Sequence, residues 1–198
     1  MQGVGRVTRS PAIRAQSPQD AADVRRLLAG AFAGEPEVVG LEEALAQRAD
    51  SHGFVALVDG AIVGQVRLTR GWVDAPERLV SVLVLGPLSV GSDHRRSGVG
   101  RSLVSFAVAE AERLGAPAVL LEGDPGYYAR LGWRPASDFG ITPPSDRIPA
   151  PACQAIALPG YEPWMRGRLV YADTFWEHDC VGLRGARLAE VNEALGLT

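Results

Sequence analysis

Leu79-Val-Ser-Val-Leu-Val-Leu-Gly-Pro-Leu-Ser-Val90 is followed, after four residues, by Arg95-Arg-Ser-Gly-Val-Gly-Arg101. The first stretch is apolar at nearly every position, which predicts a central strand covered on both faces. Proline cannot donate to a strand ladder, so Gly86-Pro87 requires the strand to bulge or part from a neighbour there. The second stretch opens a helix, with Val99, Leu103, Phe106, Ala107, Ala111 and Leu114 as its apolar stripe and Gly115 with Pro117 as its stop. A buried strand that breaks late, a glycine-rich turn and an amphipathic helix together indicate α/β (α+β) architecture with a mixed sheet.

Working outward toward the N-terminus, Asp59-Gly60 joins strands Phe54–Val58 and Ile62–Leu68 in a hairpin. A helix through Val24, Leu27, Leu28 and Ala31 follows a strand over Ala12–Gln16, and a second helix is predicted from about Leu41 to Arg48. Residues 1–11 read as a loose leader. On the C-terminal side come a strand at Ala118–Leu121, a short helix at Pro125–Leu131 ended by Gly132, and a strand beginning at Trp133-Arg134. The window Pro135–Pro163 holds seven of the 14 prolines and predicts an ordered loop, Asp138–Ala150, leading to a strand at Gln154–Leu158. A strand at Arg168–Tyr171 and a helix at Ala186–Leu195 complete the chain.

The protein has 198 residues, 46% of them hydrophobic, and a net charge of −3; its 20 basic residues are all arginine. The acidic balance argues against a protein whose main task is gripping nucleic acid, and no run is long and apolar enough for a membrane span. Two cysteines, Cys153 and Cys180, match neither a disulfide framework nor a zinc motif. No metal and a cytoplasmic location are therefore expected.

Against that global sign, Asp93–Arg101 carries three arginines and one aspartate. The first turn of a helix leaves backbone N–H groups unpartnered and carries partial positive charge. Glycines at 98 and 100 let an anion approach those groups, and arginines add bidentate contacts. A pyrophosphate suits this arrangement. The turn is not a Walker A loop, which ends in Gly-Lys-Ser/Thr, nor does it have the glycine order of the dinucleotide fingerprint.

Leu85-Gly-Pro-Leu-Ser-Val90 followed by Arg95-Arg-Ser-Gly-Val-Gly100 resembles the acetyl-CoA-binding motif of the GNAT family of N-acetyltransferases. Gly123-Asp-Pro-Gly-Tyr-Tyr-Ala-Arg-Leu-Gly-Trp133 is similar to the family's second motif, and the two lie in the family's order. The resemblance covers about Ile13 to Leu158, and Gly167–Phe175 is similar to a mostly uncharacterised bacterial branch.

The resemblance implies a mostly antiparallel sheet flanked by helices with a splayed central strand pair, and acetyl-CoA as acyl donor. It places Leu88 and Val90 against the pantetheine arm, and Arg95, Arg96, Ser97, Gly98, Val99, Gly100 and Arg101 around the pyrophosphate. Tyr128 falls where many members place the acid that protonates the departing thiolate. The base is open: Glu122, Asp124, Glu77, Asp74 and Glu35 are nearby in sequence, and Glu122 is preferred because it ends the strand facing the splayed one.

The expected organisation is then a leader (1–11), an acetyltransferase-like domain (12–158) and a C-terminal extension packed on it (159–198). The expected activity is transfer of an acetyl group to a small-molecule or peptide amine by direct attack in a ternary complex, with a homodimer possible. Non-catalytic acyl-CoA binding and use of a longer acyl-CoA are the alternatives. Acceptor specificity is expected from 33–48, 70–78 and 138–163. Trp72, Trp164 and Trp176 are core residues or pocket linings, His94 lies next to the cofactor turn, and His178-Asp179-Cys180 is discounted as a triad because adjacent residues rarely converge.

Overall fold

Asp59 and Gly60 both take positive φ (49° and 81°), the backbone of a tight primed turn that matches strand twist. The hairpin it closes pairs β2 (Ser51–Val58) with β3 (Ala61–Asp74). The structure, a computed structural model, describes residues 10–197; the leader expected at 1–11 lies outside it except for Ser10 and Pro11.

Nine strands form one sheet in the order β1-β2-β3-β4-β5-β8-β6, where β1 is Ala12–Ala15, β4 Leu79–Val90, β5 Ala118–Glu122, β6 Arg134–Pro135 and β8 Cys153–Ala157. β9 (Gly167–Val170) pairs with the end of β3 and with β7 (Ile141–Thr142). Neighbouring strands on the main path run antiparallel except β4 and β5, which run parallel. That pair is joined only at Leu83–Val119 and Val84–Leu120, and beyond these residues the two strands separate. The sheet is mixed and mostly antiparallel, with its central strands splayed, as expected.

The expected break in β4 takes a specific form. Val66 pairs with Leu88 but Leu68 pairs with Leu85, so Gly86 and Pro87 together face Arg67 as a bulge. β4 is buried on both faces from Val82 to Leu85, whereas its first residue, Leu79, is 60% exposed. Leu83 and Leu85 join the cluster beneath α3 (Val99–Arg113), with Val99, Leu103, Val104, Ala107 and Ala111. Val80, Val82 and Val84 face the opposite layer, with Leu41 and Leu45 of α2 (Pro36–Leu45) and with Tyr171, Phe175 and Val181. α1 (Ala21–Ala31) packs Val24 and Leu28 on Val55.

Several boundaries differ from expectation for identifiable reasons. α2 starts at Pro36, not Leu41, because proline is preset for the first helical position and lacks an N–H that would be orphaned there anyway. β3 runs to Asp74, not Leu68, since both β4 and β9 supply it with partners. Gly71 permits the close approach of β9: a Cβ there would lie 3.0 Å from the Val170 carbonyl oxygen. Leu114 leaves the α3 stripe as the exposed C-cap before Gly115, and Val104 takes a buried place instead.

One buried tie was not visible in the sequence. Arg67 donates from Nε to Glu42 Oε2 (2.7 Å) and from Nη2 to Glu42 Oε1 (2.6 Å), with both side chains at most 3% exposed. This bidentate pair fastens α2 to β3 at the bulge. Residues after 158 contribute β9 to the sheet, Tyr171, Ala172, Phe175 and Val181 to its core, and then α5 (Asp173–Glu177) and α6 (Gly185–Ala194). Among the described residues no helix is long and apolar enough to cross a membrane.

Candidate functional site

The parting of β4 from β5 exposes strand ends to two cavities, one on either side of Leu88. The first, about 750 Å³, runs over the turn that heads α3 and is lined by Ala31, Phe32, Leu88, Ser89, Val90, His94, Arg95, Arg96, Gly98, Gly100, Arg101, Ser102 and Tyr127. Gly98 is the N-cap at φ 92°, where a Cβ would be strained, and no side chain caps the helix. The first-turn N–H groups are thus left without a side-chain cap. A Cβ on Gly100 would come 2.8 Å from the Tyr127 hydroxyl, so glycine there keeps the cradle open.

Seven of the nine residues assigned to this turn line the cavity: Leu88, Val90, Arg95, Arg96, Gly98, Gly100 and Arg101. The Ser97 hydroxyl instead donates to the His94 carbonyl oxygen at 2.5 Å, bracing the turn. Val99 is 2% exposed in the core under α3, because it is the first residue of that helix's apolar stripe. Neither of these two residues lines the cavity. Ser89, 3% exposed, has a hydroxyl with no hydrogen-bond partner in the protein, on a strand that borders the cavity.

The second cavity, about 840 Å³, enters the split itself. Val84–Leu88 and Glu122–Pro125 form its floor, and Phe32, Glu35, Glu37, Val38 and Leu41 form one wall. Tyr171, Phe175, Asp179, Cys180 and residues of α6 form the other. Tyr128 of α4 (Pro125–Tyr128) also lines it, with its ring edge-on to Tyr127 (4.9 Å) and to Trp133 (5.7 Å). Gly123 makes room for that ring, since a Cβ there would collide with it. Burial, reinforced by Tyr127 and Asp124, raises the Tyr128 pKa, so the phenol is firmly protonated at neutral pH.

Glu122 lies at the end of β5 and accepts a hydrogen bond from the Gly182 amide at 3.2 Å. Burial pushes its carboxyl up to about 7, opposed by that hydrogen bond and by Arg147. The other sequence candidates for a base separate clearly. Asp124 caps α4, accepting from the Gly126 amide at 2.8 Å, and Glu35 is paired with Arg187 at 3.0 Å. Asp74 and Glu77 do not line the cavity.

The cysteines carry high pKa values. Burial and Glu122 push Cys153 up to about 12; burial and the converging charges of Glu37, Asp179, Glu35 and Glu122 push Cys180 up to about 12. Among the described residues no group of three or more His, Cys, Asp and Glu is placed to hold a metal.

Sequence reasoning located part of this cavity and missed the rest. Residues from 33–48 and 138–163 line it, whereas none from 70–78 does. None of the tryptophans lines it either: Trp164 packs on the core with Arg78 over its ring, and Trp176 is 44% exposed. The whole far wall, from Tyr171 to Leu195, lies 49 to 73 residues beyond Glu122 in sequence, and no local signal joins them.

Comparison with known proteins agrees with this geometry. The family model described as an acetyltransferase (GNAT) domain matches residues 12–136. An uncharacterized N-acetyltransferase of Escherichia coli, YhbS, is 29% identical over 130 residues, 65% of this chain and 77% of the relative. The crystal structure of YhbS in complex with CoA aligns with a TM-score of 0.75 at 25% identity, over 84% of this chain and 92% of that one. A GNAT family acetyltransferase from Brucella melitensis, in complex with acetyl-CoA, aligns with a TM-score of 0.67 at 26% identity, over 83% and 97% of the two chains. With a family match spanning more than half of its length, on a sheet that parts where the motif begins, this chain belongs to the GNAT acetyltransferases.

Proposed function

We propose that the protein is an acetyl-CoA-dependent N-acetyltransferase in which the two cavities receive donor and acceptor on either side of the β4–β5 split. The observation that carries the reading is that Glu122 and Tyr128, a carboxyl of pKa about 7 and a firmly protonated phenol, line one cavity at that split.

The donor fits the first cavity. Arg95, Arg96 and Arg101 with the open N-terminus of α3 hold the pyrophosphate; Leu88 and Val90 offer backbone groups to the pantetheine arm where the strand has lost its neighbour. The orphaned Ser89 hydroxyl and the space kept by Gly100 favour an occupant with polar groups along β4.

An alkylamine with pKa near 10.4 arrives protonated and must lose a proton to attack. Raising Glu122 from 4.5 to about 7 narrows the gap to that amine by roughly 3 kcal/mol, which is what makes it a serviceable base near neutral pH. Tyr128 acts at the other end, donating a hydrogen bond to the sulfur as the thiolate, of pKa near 8.5, departs. Its raised pKa means that it supports the thiolate by the hydrogen bond more than by surrendering its proton. With Cys153 and Cys180 protonated at neutral pH, neither is a ready thiolate nucleophile, which favours direct attack in a ternary complex. The carboxylates around the second cavity favour a cationic amine.

Initial-rate kinetics across an amine panel, followed by thiol release, test the reading. Intersecting double-reciprocal lines are expected; parallel lines with an acetylated cysteine would overturn it.

A further inference from the structure

Arg187, Val191, Ala194 and Leu195 all line the second cavity, and their spacing (i, i+4, i+7, i+8) puts them on one face of α6 and its C-cap. α6 has no buried residue, so this face looks into the cavity rather than into a core. Two polar anchors hold the helix in place. At its start Arg184 grips Asp179 (2.6 and 2.7 Å), which Arg147 also approaches at 3.4 Å. Farther along, Arg187 Nη2 donates to Glu35 Oε1 at 3.0 Å, crossing 152 residues of sequence to the residue that precedes α2. Among the described residues this is the one side-chain hydrogen bond from α6 to the opposite wall.

We propose that α6 is the wall that selects the acceptor: Val191, Ala194 and Leu195 bound the space left for the body of the amine, and the Arg187–Glu35 pair latches the helix across the cavity. The inference rests on the acetyltransferase reading and assigns residues to its acceptor side.

The latch suits an entrance more than a permanent joint. Arg187 is 57% and Glu35 29% exposed, and an ion pair so placed holds weakly. When it opens, Glu35 and the neighbouring Glu37 present unneutralised charge to an incoming cation. When it closes, the apolar stripe returns over the body of a bound amine. An amine with a compact apolar body and one charge is favoured, and a body too wide for the closed stripe is rejected.

The test compares kcat/KM for propylamine and for naphthylmethylamine in the full-length protein. Arg187→Glu sets two carboxylates against each other and is expected to raise the ratio of bulky to small amine about tenfold; Val191→Trp is expected to lower it about tenfold. The KM for acetyl-CoA stays within about twofold in both variants, since α6 does not border the donor cavity. Glu35→Arg in the Arg187→Glu background re-forms the pair and is expected to restore the wild-type ratio, whereas general damage to the fold would also raise the KM for acetyl-CoA. Wild-type turnover with an unchanged ratio in both variants overturns this inference alone. Thiol release with neither these amines nor any other overturns the acetyltransferase reading and this inference with it.

Discussion

The two cavities are similar in size and share Phe32 and Leu88, yet they are assembled in opposite ways. The first cavity is made almost wholly by residues 88–102, one strand end, one turn and one helix start. The second takes its lining from the α1–α2 connection, β4, β5, the loop before β8 and the C-terminal segment. The first carries arginines and glycines around an uncapped helix start; the second carries carboxylates, two of them paired with arginines, on an apolar frame. A short contiguous segment can shape the first, whereas the second is shaped by surfaces that only the folded chain brings together.

The sharpest way to break this contrast is to disable the acceptor side alone. Glu122→Gln is expected to lower kcat/KM by about 10²- to 10⁴-fold with CoA affinity unchanged in calorimetry. In the wild type kcat/KM rises with pH through about 7 as the carboxyl ionises, and the variant lacks that limb. Stability moves the other way. A carboxyl raised from 4.5 to about 7 in the folded state favours folding below pH 4.5, and that contribution is lost as pH rises through 7. Glu122→Gln therefore gains stability relative to the wild type above pH 7, by up to roughly 3 kcal/mol in urea unfolding.

Next in size is the tie that positions the acceptor wall. Glu42→Ala leaves the buried Arg67 charge without its carboxylate, with only the Ser51 hydroxyl and the Gln16 amide oxygen to accept from it, and is expected to cost about 3–5 kcal/mol in chemical denaturation. Tyr128→Phe follows, with turnover down about one to two orders of magnitude and CoA binding nearly intact. Loss of CoA affinity with normal turnover would move Tyr128 to the donor side of the comparison. The smallest effect is expected at the donor turn, where Arg95→Ala with Arg96→Ala weakens CoA about tenfold, more at low salt, and leaves the saturated rate unchanged.

How much of this was legible in the sequence follows the same division. β4, its interruption at Gly86-Pro87 and the turn before α3 were readable because strand burial, proline geometry and helix capping act over a few residues. The two exceptions, Ser97 and Val99, show the limit: the period of α3 predicts that Val99 faces the core, while only the folded turn shows the Ser97 hydroxyl spent on His94. Glu122 was readable as a strand-end acid, but its elevated pKa comes from burial, which outweighs the opposing Gly182 amide and Arg147 and which local pattern does not contain.

The sequence by itself determined most of the elements, though not α5 or the short β7 inside the expected loop 138–150, together with the sheet class and the arginine-glycine turn, since these depend on local backbone preference and on the period of apolar residues. Tertiary structure alone decided that Arg67 meets Glu42, that Asp124 is taken up by a helix cap while Glu122 borders the split, and that α6 closes the far side of the second cavity. The physical reason is range. Hydrogen-bond geometry and capping are written in neighbours, but burial, and with it the pKa of a buried acid and the shape of a cavity, is set by segments that meet only after the chain has folded.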